Sequence, residues 1–337
     1  MDALEARILP ALRRDCGIVP GSKGFVAVSG GRDSLATLHL LAALAPRLRI
    51  GLEAVHFDHG LRPESGSEAE WVREAVRRLG LPFHLRCAGH LSGLGNGVQA
   101  SARAWRREQA LRLAAQTGAA WIATGHQLDD HLETLLLKLL RGAHLSGLKG
   151  MAPRQGPWVR PVLTVWRRDL QAYLERRGVA WLDDPSNESP RYKRNRVRRE
   201  LLPLLDDLAG GAIGARLLTL ERQSAALGAW LDAELARHAP EQSPPEAALH
   251  WLDIAGLRRL PSLVQGAALY RFIQARLPGP VEYERIAQTL DLLARDRPGR
   301  AGVFTVELPG GRVLRRASGR LLLEARRGPG EAESRST

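Results

Sequence analysis

The chain has 337 residues, of which 44% are apolar, and it carries a formal net charge of +13. This length predicts a sizeable core and more than one structural unit. No uncharged apolar run reaches the ~18 residues of a membrane span, and the N-terminus lacks a signal-peptide pattern. Two cysteines far apart in sequence, Cys16 and Cys87, do not form a disulfide framework. We therefore expect a cytoplasmic protein that does not contact a membrane.

The cationic excess is concentrated in the first part of the chain. Residues 1–206 hold 31 Lys and Arg against 21 Asp and Glu, and residues 191–199 hold six cations and no acid. A solvated basic helix is the usual explanation of such a run. Six cations in nine residues favour contact with phosphate or RNA, so nucleic acid is the first candidate partner.

The predicted elements alternate between strands and helices through residues 1–206. This order predicts an α/β fold with a doubly wound, mostly parallel sheet. Ligands of such sheets bind at the carboxyl ends of the strands, so the loops at 29–34, 56–62 and 124–130 should share one crevice. Residues 142–165 are rich in glycine and proline and predict loops. The predicted strands are 25–28, 50–57, 82–86 and 119–124, and the predicted helices are 3–14, 35–44, 65–80, 97–117, 128–141 and 167–177.

The pattern changes after residue 206. We expect a catalytic domain over 1–206 and a helical region over 207–300, with helical patterns at 215–238 and 246–296. Two strand-like runs flank Gly310-Gly311 and a second turn lies at Ser318-Gly319, which predicts a small β meander over 301–327. Residues 328–337 read as a disordered tail.

The glycine-rich loop is the strongest single signal. The apolar run Phe25–Val28 predicts a buried strand, and a helical pattern follows the loop. Strand, glycine loop and helix form a phosphate-binding layout, although the Gly-Lys-Ser/Thr of a Walker A loop is lacking. A carboxylate beside phosphate needs a cation between them, so Asp33 predicts Mg²⁺ with a nucleotide. The loop consists of Ser29, Gly30, Gly31, Arg32, Asp33 and Ser34.

A second signal is an acidic helix start. His126, Asp130 and Glu133 are spaced by four and three residues and should share one helix face. An acid in the first helical turn is often only a cap, but this set exceeds what a cap needs. It could bind a cationic substrate, bind a metal or transfer protons. The spacing of His56, Asp58 and His59 also permits a metallohydrolase, which a phosphate loop makes the weaker alternative.

Taken together, these motifs resemble the tRNA(Ile)-lysidine synthetase family of N-type ATP pyrophosphatases. That resemblance implies a PP-loop fold of the adenine nucleotide alpha hydrolase-like type. Residues 205–337 match only loosely, and we expect the chain to end before the further C-terminal domain of many relatives. Trp105-Arg106-Arg107 and His131 depart from the common family pattern. The motifs are Ser29–Ser34, His56–Arg62, Ala102–Arg107, Thr124–Thr134, Leu140–Leu148, Arg160–Leu163, Asp184–Asn187 and Arg194–Arg198.

The resemblance implies a reaction and residue roles. ATP would adenylate the C2 oxygen of the wobble cytidine (position 34) of a CAU-anticodon tRNA(Ile), and free L-lysine would then displace AMP. The glycine loop and His56 would bind ATP, Asp33 would hold Mg²⁺, and Arg103 and Arg106 would contact ATP or the intermediate. Lysine would lie among His126, Asp130 and Glu133, one of them serving as a base. The implied tRNA or intermediate contacts are Asn187, Arg194, Asn195, Arg196 and Arg198, the last also counted as catalytic.

Two other functions stay open at this point. One is a tRNA 2-thiolation enzyme of the same superfamily, which commonly carries cysteine pairs that this chain lacks. The other is a non-catalytic tRNA-binding module with a decayed nucleotide site. The oligomeric state, monomer or homodimer, is not fixed by the sequence.

Overall fold

The structure, a computed structural model, describes residues 1–60, 65–88, 98–183, 193–277, 279, 281–295 and 304–326. Two units are distinguished. The first consists of Met1–Thr134 with Gly150–Gly214, and the second of Leu135–Lys149 with Ala215–Thr337. The division predicted at residue 206 stays a prediction.

A six-stranded sheet with the order β3-β2-β1-β4-β6-β5 organises the first unit. All neighbouring strands are parallel except β5 and β6, which confirms the predicted mostly parallel sheet. β1 lies between β2 and β4, so the strand order runs outward from β1 on both sides. Doubly wound sheets bind ligands at the carboxyl ends of the strands where the order reverses in this way. The strands are β1 (Lys23–Ala27), β2 (Gly51–Asp58), β3 (Phe83–Cys87), β4 (Trp121–Ala123), β5 (Arg154–Gln155) and β6 (Trp158–Val159).

Helices cover both faces of this sheet. Side chains alternate along a strand, so Val26 packs in one core with Leu38 and Leu41, whereas Phe25 packs in another with Leu113. The helices are α1 (Ala3–Arg14), α2 (Arg32–Leu48), α3 (Ser65–Arg77), α4 (Val98–Thr117), α5 (Leu128–Leu139), α6 (Arg167–Arg176), α7 (Lys193–Arg196) and α8 (Leu202–Leu208). A π-helical turn, Val197–Leu201, joins α7 to α8.

The second unit contains helices and an antiparallel sheet of order β7-β10-β9-β8. Its core includes Leu231, Phe272 and Leu314. The predicted helical region and small β meander are confirmed. The helices are α9 (Ile213–His238), α10 (Ile254–Arg258), α11 (Ser262–Gln274) and α12 (Tyr283–Ala294), and the strands are β7 (His250–Asp253), β8 (Thr305–Leu308), β9 (Arg312–Ala317) and β10 (Arg320–Ala325).

Two details of the sequence prediction are wrong. The segment 142–165 contains β5 and β6, and the helical pattern over 246–296 contains β7, which pairs with β10. Strands of two to four residues are too short for a hydrophobic period to distinguish them from loop or helix. The predicted tail at 328–337 lies outside the described residues. Within the part of the chain that is described, no helix has the length and apolar character needed to cross a membrane.

Candidate active site

The loop between β1 and α2 is closed by its own serines. The Ser29 N–H donates to Ser34 Oγ (3.1 Å), and that hydroxyl donates to the Gly31 carbonyl (2.8 Å). Gly30 has φ +86°, and a Cβ there would lie 2.8 Å from Leu182 Cδ1, so glycine is required. Gly31 is the N-cap of α2, and it has no side chain that could accept hydrogen bonds from the first backbone N–H groups of the helix. The start of α2 is therefore suited to an anion.

A cleft of about 850 Å³ lies beside this loop at the carboxyl ends of β1 and β2. The three segments predicted to share a crevice each contribute to its lining, the third through Asp130 in the first turn of α5. The predicted residues that line it are Ser29, Gly31, Arg32, Asp33, Ser34, His56, Arg106, Asp130 and Arg198. His56 is buried, and its Nδ1 lies 2.8 Å from the Val28 carbonyl. Since a carbonyl only accepts, Nδ1 carries the proton and donates it.

The contacts that neighbouring arginines make to the carboxylate of Asp33 are longer than hydrogen bonds to a charged group. Its Oδ2 lies 3.5 Å from Arg167 Nη2 and its Oδ1 lies 3.7 Å from Arg32 Nε. Oδ1 is buried and has no hydrogen-bond partner in the part of the chain that the structure describes. Burial raises the pKa of Asp33, against the opposing effect of Arg167. A carboxylate oxygen left without a donor fits a hard cation.

The carboxylate of Asp33 thus fits the predicted Mg²⁺ site. Among the residues that the structure describes, no group of three or more His, Cys, Asp or Glu could hold a metal. Mg²⁺ commonly takes one or two carboxylates and completes its shell with phosphates and water. Mg²⁺ bound here would therefore need ATP as a ligand, and the metallohydrolase alternative lacks support.

The acid–arginine cluster consists of Asp130, Glu133, Arg194 and Arg198. Arg194 Nε donates to Glu133 Oε2 (2.7 Å) and its Nη2 to Asp130 Oδ1 (3.0 Å). Arg198 Nη2 donates to Asp130 Oδ1 (2.8 Å), and Arg198 Nε donates to Glu133 Oε1. The Glu133 side chain is 0% exposed. The sequence assigned the two carboxylates to lysine and the two arginines to tRNA or the intermediate. In the structure these four side chains instead form ion pairs with one another.

The two arginines of the cluster differ in setting. Arg194 is 44% exposed on the short helix α7, whereas Arg198 is 18% exposed on the π-helical turn. π-Helical turns within helices occur frequently at functional sites. Arg198, which also lines the cleft, is thus the more firmly held of the two.

His126 lies before α5 rather than on it, because the helix begins at Leu128. Its Nδ1 is 2.8 Å from Thr124 Oγ1. Burial lowers the pKa of His126 to about 4, helped by the charges of Arg160 and Arg194 and opposed by Asp130. The imidazole is therefore neutral near pH 7, and only its neutral form is available for proton transfer.

This shift predicts a pH effect on stability. Between pH 6.5 and about 4, unfolded His126 binds a proton and the folded form does not, so folding is progressively disfavoured as the pH falls through this window. His126→Asn should lose less free energy of unfolding than the native chain across the same window. Urea titrations at its two ends measure this difference, and equal losses in both proteins would contradict the assignment.

Several other residues of the sequence motifs have structural partners. Asp129 Oδ2 accepts the Arg167 N–H at the start of α6 (3.0 Å), and His131 Nδ1 accepts the Met151 N–H (3.1 Å). Arg196 pairs with Glu200 on the surface. Of the remaining predicted residues, Arg103 is exposed and Asn195 half-buried, and Asn187 lies outside the described residues.

Gly125 joins the loop after β4 to the glycine loop. A Cβ at this position would lie 2.9 Å from the backbone of Asp33 and of Ser34. Gly125→Ala should therefore lower the free energy of unfolding by about 1–3 kcal/mol and weaken ATP binding. Gly66→Ala is the matched control, because Gly66 lies in α3 and no atom of the described residues lies within 4 Å of its added Cβ. Denaturant unfolding and calorimetric ATP titration measure both; native ATP affinity in Gly125→Ala would contradict this close contact.

Arg167 is a cleft residue that the sequence did not reveal. It lines the cleft and pairs with Asp33, and its buried Nε has no hydrogen-bond partner among the described residues. In sequence, Arg167 and Arg168 look alike, as two cations at the start of an amphipathic helix. Only the packing of α6 against α2 distinguishes them.

Comparison with known proteins gives three findings. The PP-loop domain family matches residues 4–205. A tRNA(Ile)-lysidine synthase of Chlorobaculum tepidum is 33% identical over 313 residues, 91% of this chain and 95% of that protein. One of Thermobifida fusca is 36% identical over 326 residues, 95% of this chain and 97% of that protein.

Among solved structures, the U34-tRNA thiolase NcsA from Methanococcus maripaludis with its [4Fe-4S] cluster is similar to this chain. Its TM-score is 0.54 at 16% identity, with 67% of this chain and 77% of that chain covered. At this identity the likeness shows the fold alone.

Proposed function

The chain belongs to the tRNA(Ile)-lysidine synthase family, an ATP-dependent family of tRNA-modifying ligases, and we propose the reaction in detail. ATP adenylates the C2 oxygen of the wobble cytidine of CAU-anticodon tRNA(Ile) and releases pyrophosphate. The amine of free L-lysine then attacks C2 and displaces AMP, which leaves lysidine.

One observation carries this proposal. The glycine loop with Asp33 and the acid–arginine cluster meet in one cleft, through Asp130 and Arg198. Adenylation needs fixed donors and cations at the leaving pyrophosphate, which the start of α2 and nearby arginines supply. Mg²⁺ held by Asp33 would neutralise phosphate charge there. The second step needs a place for a cationic amino acid, which Asp130 and Glu133 supply.

Lysine binding at Asp130 and Glu133 requires an exchange of ion pairs. Both carboxylates are engaged by Arg194 and Arg198 in the structure. Arg194 is the more exposed arginine, so we propose that it is the one that leaves when the lysine ammonium enters. Arg198 stays to hold the carboxylates in place, and Arg194 becomes available to tRNA phosphate.

The carboxylate of Asp130 is near enough to His126 to oppose the lowering of the pKa of that imidazole by burial. We propose that the neutral imidazole accepts a proton from the attacking amine. Arg103, Arg106 and the basic run at 193–199 would contact tRNA phosphates or the adenylated intermediate.

The thiolase likeness does not favour sulfur transfer for this chain. Iron–sulfur clusters are commonly held by several cysteine thiolates. This chain has two cysteines in all, Cys16 and Cys87, of which Cys16 is buried and Cys87 is exposed. Lysine transfer remains the proposal.

Mass spectrometry of nucleosides tests this function. The purified chain is incubated with CAU-anticodon tRNA(Ile), ATP, Mg²⁺ and lysine, and the digested tRNA is analysed. Lysidine should appear only when ATP and lysine are both present. Unchanged cytidine, or thiocytidine when a sulfur donor is added, would overturn the proposal.

A further inference from the structure

Arg167 has the setting of a ligand-binding residue whose ligand is not a protein group. Its side chain is 25% exposed and lines the cleft beside Asp33 of the glycine loop. Among the described residues, its Nε is buried without a hydrogen-bond partner. Burial of a guanidinium nitrogen that makes no hydrogen bond is unfavourable, and an anionic ligand in the cleft would remove that cost.

The ion pair between Arg167 and Asp33 is loose. Nη2 lies 3.5 Å from Oδ2, beyond the 2.7–2.9 Å expected, roughly, of a charge-assisted hydrogen bond. Within the described part of the chain, Asp33 Oδ1 also has no hydrogen-bond partner. Each side chain therefore has hydrogen-bonding capacity that the other does not use.

The backbone of Arg167 is held by a hydrogen bond of its own. Its N–H donates to Asp129 Oδ2 (3.0 Å), which ties the start of α6 to the start of α5. Arg167 is therefore presented to the cleft from a rigid element, as binding residues usually are.

We propose that Arg167 binds the β and γ phosphates of ATP, the future pyrophosphate, and exchanges the Asp33 carboxylate for phosphate oxygens when Mg²⁺-ATP enters. This inference rests on the proposed function, because it assumes ATP in this cleft. A guanidinium presents parallel N–H donors that match phosphate oxygens. The same group would later stabilise the negative charge that builds on pyrophosphate as it leaves.

The neighbouring residue provides the control. Arg168 carries the same charge on the same helix, but it is exposed and its guanidinium lies 5.2 Å from the centre of the Trp166 ring. Long-range attraction of ATP by positive charge should be nearly equal for the two arginines. Direct phosphate contact should depend on Arg167 alone.

Calorimetric titration with α,β-methylene-ATP, inorganic pyrophosphate and AMP, in the presence of Mg²⁺, tests the inference. Arg167→Ala should raise the dissociation constants of the first two by about 10–100-fold and that of AMP by less than about twofold. The dissociation constants of Arg167→Lys should lie between those of Arg167→Ala and the native chain. Lysine keeps the positive charge but lacks the parallel N–H donors of a guanidinium. Arg168→Ala should bind all three like the native chain.

Three results would overturn the inference: native pyrophosphate affinity in Arg167→Ala, an equal loss in Arg168→Ala, or an equal loss of AMP affinity. Thermal unfolding of each variant is measured beside the titrations to recognise a misfolded protein. If Arg167→Ala is misfolded, the affinities of Arg167→Lys decide the outcome. If the native chain failed to bind α,β-methylene-ATP, the proposed function itself would fail, which is a different result.

Discussion

Asp33→Asn should abolish pyrophosphate release without destabilising the protein. The amide cannot serve as an anionic ligand for Mg²⁺, and loss of one preorganised charge at the reacting phosphates commonly costs ~10²–10³ in rate. Because loss of the charge also removes metal-assisted ATP binding, we expect pyrophosphate release below detection. Pyrophosphate is measured with tRNA present and lysine omitted.

The stability of the same variant has a definite sign. Burial raises the pKa of Asp33, so its charge is less favourable in the folded than in the unfolded chain near pH 7. Asp33→Asn should therefore unfold at the same or a higher denaturant concentration than the native chain. Asp169→Asn, at a surface pair with Arg7, is the control and should retain activity. A folded Asp33→Asn protein with native pyrophosphate release would contradict the assignment of Asp33.

Glu133→Gln should lower stability and lysine transfer together. The fully buried Glu133 accepts from Arg194 and Arg198. Removal of its charge leaves two guanidinium groups against Asp130 alone, and breaking a buried ion pair costs about 3–5 kcal/mol. Because Arg194 is 44% exposed and can turn to solvent, we expect the lower end of that range.

The rates of the two reaction steps distinguish a lysine-binding role of Glu133 from a purely structural one. If Glu133 contacts lysine, Glu133→Gln should slow lysine transfer by at least tenfold more than it slows the lysine-free adenylation step. Glu200→Gln breaks an exposed pair with Arg196 and should leave the free energy of unfolding and both kinetic steps nearly unchanged, because water screens such pairs. Equal slowing of both steps in Glu133→Gln would assign the cluster to structure rather than to the lysine site.

The sequence was sufficient for the parts of the site that are local. Ser29 to Ser34 follow a strand directly, and the β1–loop–α2 unit forms from neighbouring residues. The position of the crevice follows from the rule for doubly wound sheets, which places the loops after β1, β2 and β4 together.

Pairings between distant segments could not be predicted. Glu133 meets Arg194 and Arg198 across 61 and 65 residues of chain. Because the charge of each side chain suits a substrate, the sequence assigned Glu133 to lysine and the two arginines to tRNA or the intermediate. Arg167 was missed for a related reason, since a cation at a helix start is ordinary and its buried setting depends on the packing of α6 against α2.

The central claim is that the ATP loop and the acid–arginine cluster act in turn on one oxygen, and an isotope experiment tests it most directly. CAU-anticodon tRNA(Ile) is prepared with heavy oxygen at C2 of the wobble cytidine, and the AMP released with ATP and lysine is analysed by mass spectrometry. Adenylation of that oxygen predicts that the label leaves the tRNA and appears in AMP in equal amount to lysidine. Unlabelled AMP, or label retained in the modified nucleoside, would contradict the claim.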